Sequence, residues 1–429
     1  MPNPSEHPRL ALREYGRMVL PGVRLTEADR RLVESGALDG RLRLRELRGD
    51  RLEATAGPYV GVVRLDACEL RVLPKYLGGE LDVLRMLDYA WGGSGALLPL
   101  GQDFGEGPPQ LRDLVALMVT EHAERLLRHG IRSDYLTRED DLPVVRGRLL
   151  ADRQFVRHHG RLDRLACRFD EHDADILDNR ICARAVALAA RTARSPEVRG
   201  RARRAAARFA AYAPGDLGDL RDAVSLPDYH RHNEHYRPAH LWSRLLLSGG
   251  GIRDLFTGGP LASRAFLVDM NQLFEAFMTR LLREGAAAAG THAETQSRQR
   301  RVLFDEATGG PYSEVRPDLL ISGTLDGEPV RRPVDVKYKL YDPRKLSTQD
   351  LYQAFLYAHA LSGDGPGRCS LVHPGDAGES GAVVSVRGPG GAVSAVVRAV
   401  PVDLRAVLDG LAGPAPRGVP ARLFAEVMA

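Results

Sequence analysis

The chain has 429 residues, 44% hydrophobic and 27% charged, with a formal net charge of +4. This is the composition of an ordinary soluble globular protein, long enough for two or three domains, and its mild basicity permits a polyanionic partner without requiring one. Cys68, Cys167, Cys182 and Cys369 form no CxxC pair, which argues for reduced thiols and against a disulfide framework or a cysteine zinc site. The start, "MPNPSEHPRLALREYG", has no apolar targeting core, and no apolar run reaches membrane-spanning length. The expectation is a cytoplasmic protein with no membrane association. No GxxxxGK[ST] loop is present, and "GGSGALLPLGQ" lacks the phosphate-binding lysine, so any nucleotide hydrolysis would come from a partner.

In chain order, residues 1–105 read as a β-rich region with one or two short helices. "LTEADRRLVESG" opens on a T-x-x-D cap at Thr26 and stops at Gly36, as a short helix does. "YVGVVRLDACELRVLPKY" alternates about an "LDA" turn, as a hairpin does. Residues 106–245 read as mainly helical: "LRDLVALMVTEHAERLLRHG", "DILDNRICARAVALAARTA" and "VRGRARRAAARFAAYA" all carry helical periodicity. The glycine-rich stretch at 246–259 reads as a linker.

Residues 260–429 read as a further domain. "FLVDMNQLFEAFMTRLLRE" predicts an amphipathic helix with Met270, Leu273, Phe274, Phe277 and Leu281 in one stripe and Glu275 at its edge. Three strands follow, near Val302, over 316–322 and over 333–339. A helix capped by Ser347 and Asp350 comes next, then a strand at "RCSLVH" and a hairpin around "GPGG". This order gives an α/β (α+β) multidomain chain whose last part is built on a small mixed sheet.

The chemistry concentrates in "RPDLLISGTLDGEPVRRPVDVKYK", residues 316–339. Of 60 Lys+Arg only Lys75, Lys337, Lys339 and Lys345 are lysines, and two of those four lie here. A retained lysine suggests a site where a compact point charge serves and a guanidinium does not. Period-two alternation puts Asp335, Lys337 and Lys339 on one strand face, and pairing through the "GTLDGEP" turn brings Asp318 to Asp335. Converging carboxylates repel unless a cation separates them, and Mg²⁺ takes one or two carboxylates and fills its shell with water and phosphate oxygens. The Val336 carbonyl could add a ligand. Lys337 could orient or deprotonate the attacking water and stabilise the charge developing on phosphorus. This accounts for Lys337 and leaves Lys339 unexplained.

Pro317-Asp318 followed by Asp335-Val336-Lys337 resembles the PD-(D/E)xK nuclease pattern. The surroundings are more specific. "RPDLLI", "VDVKYK", "DLYQAFLYA" and "FLVDMNQLFEAF", with "YVGVVRLDACELRVLPKY", "VVRGRL", "DILDNRI" and "HNEHYRPAHLW", resemble McrC, the nuclease subunit family of modified-cytosine restriction systems. The resemblance runs with gaps from about Tyr15 to His359 and takes in Lys75 and the three internal asparagines, Asn179, Asn233 and Asn271. It implies a restriction-endonuclease-like fold, with Asp318 and Asp335 as metal ligands and Lys337 as the catalytic lysine. It implies Mg²⁺, or Mn²⁺, as cofactor and DNA as substrate. It also implies an McrB-like AAA+ GTPase ring as partner, docked on the N-terminal half. Glu275 resembles the extra acidic residue of such nucleases. Gln353 and Tyr357, one helical turn apart, share a face that could point at the site.

Weaker signals have plainer readings. His230, His232 and His235 lack an acidic or cysteine partner and read as part of a polar helix. The arginines at 199, 201, 203, 204 and 208 read as a solvated helix face, while Arg298 to Arg301 are a phosphate-contact candidate. Two rival functions stand beside the nuclease: an adaptor that activates a AAA+ partner without cutting, and a PD-(D/E)xK repair nuclease working without a ring.

Overall fold

The computed structural model describes residues 9–36, 38–93, 111–161, 163–214, 227–248, 265–339, 341, 346–362 and 365–429. The chain divides into two compact units, and the first is discontinuous. It contains residues 1–102, 109–111 and 264–429, and the second contains 103–108 and 112–263. Segments 1–105 and 260–429, read from the sequence as separate regions, thus contribute to one unit.

The first unit begins with β1 (Arg9–Arg13), β2 (Arg17–Pro21), α1 (Glu27–Glu34), β3 (Leu42–Leu47), β4 (Arg51–Ala56), β5 (Tyr59–Arg64), β6 (Glu69–Leu73) and α2 (Glu80–Ala90). The helix at Thr26 is present with its full capping box: the Thr26 hydroxyl accepts from the Asp29 amide, and the Asp29 carboxylate accepts from the Thr26 amide. Strands β2, β4 and β3 form an antiparallel sheet, and β5 and β6 are the expected hairpin.

The second unit holds α3 (Leu111–His129) apart from its first residue, β7 (Asp134–Leu142), β8 (Arg148–Leu149), α4 (Ala151–His158), β9 (Leu165–Asp173), α5 (Leu177–Thr192), α6 (Pro196–Tyr212) and α7 (Arg237–Leu247). Two of its rare asparagines are buried and fully used. Asn179 Nδ2 donates to the carbonyls of Arg132 and Ala174, its Oδ1 accepts from Tyr236, and Asn233 donates to the Asp228 carbonyl. An amide that must donate and accept at once explains why asparagine serves there. His230, His232 and His235 lie at the edge of a turn, on that turn and on a 3-10 segment ahead of α7, not on a polar helix, and the side chains of Asn233 and Tyr236 between them are buried. In the α6 arginine run, Arg201 pairs with Glu124 at 2.8 Å and Arg208 donates to the Leu127 carbonyl. The linker proposed at 246–259 lies outside the described residues beyond Ser248, as does most of "GGSGALLPLGQ".

The first unit resumes with β10 (Ala265–Asp269), α8 (Met270–Ala288), β11 (His292–Thr295), β12 (Gln299–Asp305), β13 (Gly310–Val315), β14 (Leu319–Leu325), β15 (Glu328–Val336), α9 (Thr348–Leu361), β16 (Gly367–Pro374), β17 (Val383–Arg387), β18 (Val393–Val402), α10 (Leu404–Ala412) and α11 (Gly418–Met428). "FLVD" is a strand, not the first turn of a helix. β10 pairs antiparallel with β5 and completes a four-stranded sheet ordered β1-β6-β5-β10. Its side chains from Phe266 to Asp269 are all buried, and a strand covered on both faces carries no alternation by which to recognise it. Asp269 then caps α8 by accepting from the amides of Asn271 and Gln272. The stripe from Met270 to Leu281 is buried as its spacing requires.

Gly61 permits the β5–β10 contact. Its φ is +145°, and a Cβ built there would meet the Phe266 carbonyl oxygen at 2.0 Å. Gly61→Ala should therefore cost on the order of 1–3 kcal/mol, measured by chemical denaturation of the full chain.

The larger sheet has six strands, ordered β11-β14-β15-β16-β18-β17, with β15, β16 and β18 parallel and the outer pairs antiparallel. This is the mixed sheet expected of the α/β class. Helix α9 covers part of it through Ala354, Tyr357, Ala358 and Leu361, packed with Leu371, Val397 and Ala399. Beyond β10, and β7 to β9 in the stretch read as mainly helical, two strands here escaped the sequence reading, β11 and β13. "HAET" is a polar edge strand, and "GPYSEV" carries a proline, so neither alternates in hydrophobicity. Among the described residues, no helix is long and apolar enough to cross a membrane. The four cysteines are free and buried.

Candidate active site

Strands β14 and β15 form an antiparallel hairpin in which Leu319 faces Val334. Asp318 precedes β14 by one residue, and its Oδ2 accepts from the Val336 amide at 2.7 Å. That bond holds the carboxylate beside the end of β15, where Asp335 is only 1% exposed. Parallel pairing with β16 continues past the strand through the Lys337 amide, which donates to the Val372 carbonyl at 2.9 Å. The Lys337 side chain therefore stays on the Asp335 face, with Nζ 3.1 Å from Asp335 Oδ2. Asp318, Asp335, Val336 and Lys337 converge at one end of the hairpin.

The electrostatics are those of crowded carboxylates. Burial raises the Asp335 carboxyl from 3.8 to about 7; the Lys337 ammonium opposes the rise and Asp318 adds to it. Burial also raises Asp318, against the Val336 amide bond and the Lys337 charge. Burial works to lower the Lys337 ammonium, but Asp335 and Asp318 outweigh it and hold its pKa above the ordinary lysine value. Lys337 is thus held as a positive charge in this arrangement. Asp335 Oδ2 is buried and makes no hydrogen bond of good geometry, so its contact with Lys337 is ionic.

Lys339 has a separate task. Its Nζ contacts both oxygens of Asp350, at 3.1 and 3.2 Å, and Asp350 Oδ2 also accepts from Tyr341 at 2.7 Å. The expected cap of α9 is thereby altered. Ser347 occupies the N-cap position but makes no side-chain cap bond, and the nearly buried Asp350 carboxylate is taken by Lys339 and Tyr341 instead of returning to the Ser347 amide. Burial tends to raise Asp350, but the Tyr341 and Lys339 bonds outweigh it and lower its pKa. The remaining lysine, Lys345, lies outside the described residues.

Gln353 and Tyr357 do share a face of α9. Gln353 donates to the Tyr357 hydroxyl at 2.7 Å, and that hydroxyl donates to the Arg316 carbonyl at 3.0 Å. The pair ties the helix to the backbone two residues ahead of Asp318. Glu275, on α8, reaches the site through a residue that sequence reasoning missed: Gln296 Nε2 donates to Glu275 Oε1 at 2.6 Å and lies 3.4 Å from Asp318 Oδ1. No local motif marks Gln296, whose placement depends on β11 pairing with β14. Arg298 and Arg300 extend toward Glu314 on the neighbouring strand, at 3.9 and 3.6 Å, and remain largely exposed.

Among the described residues, no group of three or more His, Cys, Asp or Glu side chains is arranged to hold a metal ion. The donor set suits a cation that takes most of its shell from water and substrate. It offers two adjacent carboxylates, one with a buried oxygen lacking a hydrogen bond, in a setting that favours uptake of positive charge.

No curated protein matches the sequence. Among solved structures, the chain is similar to one of a Thermococcus gammatolerans assembly described as McrB AAA+ hexamers with bound McrC. It has 17% identity to that chain, a TM-score of 0.61, and coverage of 98% of this chain and 100% of the other. A second structure, of the Thermococcus gammatolerans McrBC complex, aligns at 22% identity and TM-score 0.45 over 64% of this chain and 87% of the other. The model of the family described as "McrBC 5-methylcytosine restriction system component" matches residues 54–374, well over half the sequence and inclusive of every candidate site residue. The chain belongs to the McrBC family of 5-methylcytosine restriction system components.

Proposed function

We propose that the chain is a Mg²⁺-dependent DNA endonuclease that cuts phosphodiester bonds within a modification-dependent restriction system. The observation that carries this reading is the convergence of Asp318, Asp335 and Lys337 at the end of the β14–β15 hairpin. Asp318 and Asp335 would hold the cation, with the Val336 carbonyl as a further donor. A bound Mg²⁺ supplies Lewis-acid polarisation of the phosphate and lowers the pKa of water.

The chain's own residues do the positioning. The Val336 amide fixes the rotamer of Asp318, and the Gln353–Tyr357 pair anchors the backbone leading into it. Lys337, held protonated, orients the attacking water and stabilises negative charge developing on the phosphoryl oxygens. Glu275 adds a nearby carboxylate. The similar Thermococcus gammatolerans chain is described as bound to McrB AAA+ hexamers; we infer a corresponding GTP-hydrolysing ring as partner here, in the reducing cytoplasm that four free thiols suit.

The test uses the chain with its AAA+ partner, GTP, Mg²⁺ and methylated or unmethylated plasmid. Wild type should cleave, while Asp318→Ala should fail to cleave and still stimulate GTP hydrolysis. Stimulation by both proteins without cleavage by either would leave an activator that does not cut. Cleavage without partner or nucleotide would instead favour a nuclease that works alone.

A further inference from the structure

Gln296 stands immediately after β11, opposite Asp318. Its amide donates to the Asp318 carbonyl at 2.9 Å, one step beyond the Thr295–Leu319 pair, and its own carbonyl accepts from Arg316 Nε at 3.3 Å. Its φ is +52°, in the left-handed region that a glutamine enters at a cost. From this position the side chain reaches two carboxylates. There Nε2 donates to Glu275 Oε1 at 2.6 Å and lies 3.4 Å from Asp318 Oδ1.

We propose that Gln296 is a positioning residue that spans Glu275 and Asp318 and holds both carboxylates in the orientation a divalent cation requires. The proposal rests on the nuclease reading above. Its chemical basis is the choice of side chain. The site gathers carboxylates from three elements, α8, the start of β14 and β15, and these repel each other. An arginine or lysine at this position would join them by neutralising them, and would then compete with the cation for the same oxygens. A primary amide offers two N–H donors and no charge, so it orients two carboxylates while leaving their charge available. Glutamine also has the necessary reach. Asparagine, which enters the left-handed region more readily, is one methylene shorter.

With Gln296 on one oxygen and the Val336 amide on the other, both oxygens of Asp318 have a fixed neighbour. Each keeps a further lone pair for a cation. Partners that orient metal ligands are commonly worth about 10–100-fold in metal affinity. An effect of that size is expected here.

The experiment measures Mn²⁺ binding to the full-length chain by calorimetry, together with the Mg²⁺ dependence of cleavage in the presence of its AAA+ partner. It compares wild type, Gln296→Asn, Gln296→Lys, Gln296→Ala, Glu275→Ala and the Glu275→Ala, Gln296→Ala double variant. Gln296→Asn should stay folded by circular dichroism, bind Mn²⁺ about tenfold more weakly, and regain cleavage when Mg²⁺ is raised. Gln296→Lys should bind no Mn²⁺, because its ammonium occupies the cation's place. If Gln296 acts partly through Glu275, adding Gln296→Ala to Glu275→Ala should weaken binding by less than Gln296→Ala does alone. Wild-type Mn²⁺ affinity and Mg²⁺ dependence in a folded Gln296→Asn would overturn the proposal while leaving the nuclease reading intact. A wild-type chain that takes up no Mn²⁺ and cleaves nothing would overturn the nuclease reading itself, and this proposal with it.

Discussion

Lys337→Ala should lower the rate of DNA cleavage by on the order of 10²–10³-fold, the cost of removing one preorganised charge from a phosphoryl-type transition state. Binding to the AAA+ partner and stimulation of its GTP hydrolysis should be unchanged. The reason lies in where the lysine gets its position. The Lys337 backbone is locked by its amide bond to Val372, and its Nζ is drawn to Asp335, so truncation removes charge without removing a β-sheet contact. Loss of that charge also leaves Asp335 buried beside Asp318 without the cation that most offsets the repulsion. The Asp335 carboxyl should then hold its proton to higher pH, and the variant should need more Mg²⁺ to displace it. Lys337→Arg keeps the charge but replaces a compact ammonium with a planar fork, and should restore only part of the rate. The measurement is single-turnover cleavage against Mg²⁺ concentration. Equal rates for wild type and Lys337→Ala would remove Lys337 from the mechanism.

Glu14→Gln should change how stability depends on pH, by up to about 3 kcal/mol. Glu14 is 2% exposed, and burial raises its carboxyl from 4.5 to about 7, against bonds from the Lys75 amide and the Tyr338 hydroxyl. The folded chain therefore holds this proton more tightly than the unfolded chain. Below about pH 4.5 the group is protonated in both states and costs nothing. As pH rises toward 7 the unfolded chain releases the proton first, and the fold loses stability. Glutamine cannot ionise and carries no such penalty. The difference in unfolding free energy, variant minus wild type, should thus grow in the variant's favour between pH 4.5 and 7 and level off above. Any constant gain or loss from the N–H group that Glu14→Gln introduces does not vary with pH. Urea titrations of both proteins at several pH values would read the difference, in which titrating groups that do not interact with Glu14 cancel. Parallel curves would show that Glu14 does not sense burial.

Glu14 also joins the backbone at Lys75 to the residue that follows Lys337. Glu14 Oε2 accepts from the Lys75 amide and from Tyr338, the residue next to Lys337. Tyr338 in turn packs edge-on against Tyr76 and at a tilt against Phe274. Two stretches far apart in the chain that both resemble the family are thus in contact.

Much of the local structure was legible in the sequence because it is determined locally. The Thr26 capping box, the β5–β6 hairpin and the apolar stripe of α8 each depend on residues within a few positions of one another. The same holds for Asp335 and Lys337, whose common face follows from strand alternation, and for Gln353 and Tyr357, one turn apart on a helix. Asp318 could be joined to them because a single hairpin connects the two strands.

What only the tertiary structure decided involves partners far apart in the chain. β10 looked like helix because its strand identity comes from β5, some two hundred residues earlier, and no local pattern encodes that pairing. For the same reason the first unit could not be recognised as discontinuous. Asp350 looked like a helix cap until Lys339 and Tyr341 supplied stronger partners, which explains the second lysine of the opening segment. Gln296 had no signal at all, since its role arises from an edge strand that sets it beside Asp318 and a helix that sets Glu275 within its reach. Periodicity and spacing report the forces between near neighbours along the chain. The geometry that brings a neutral amide between two carboxylates is settled by sheet pairing, and becomes readable only once the strands are in place.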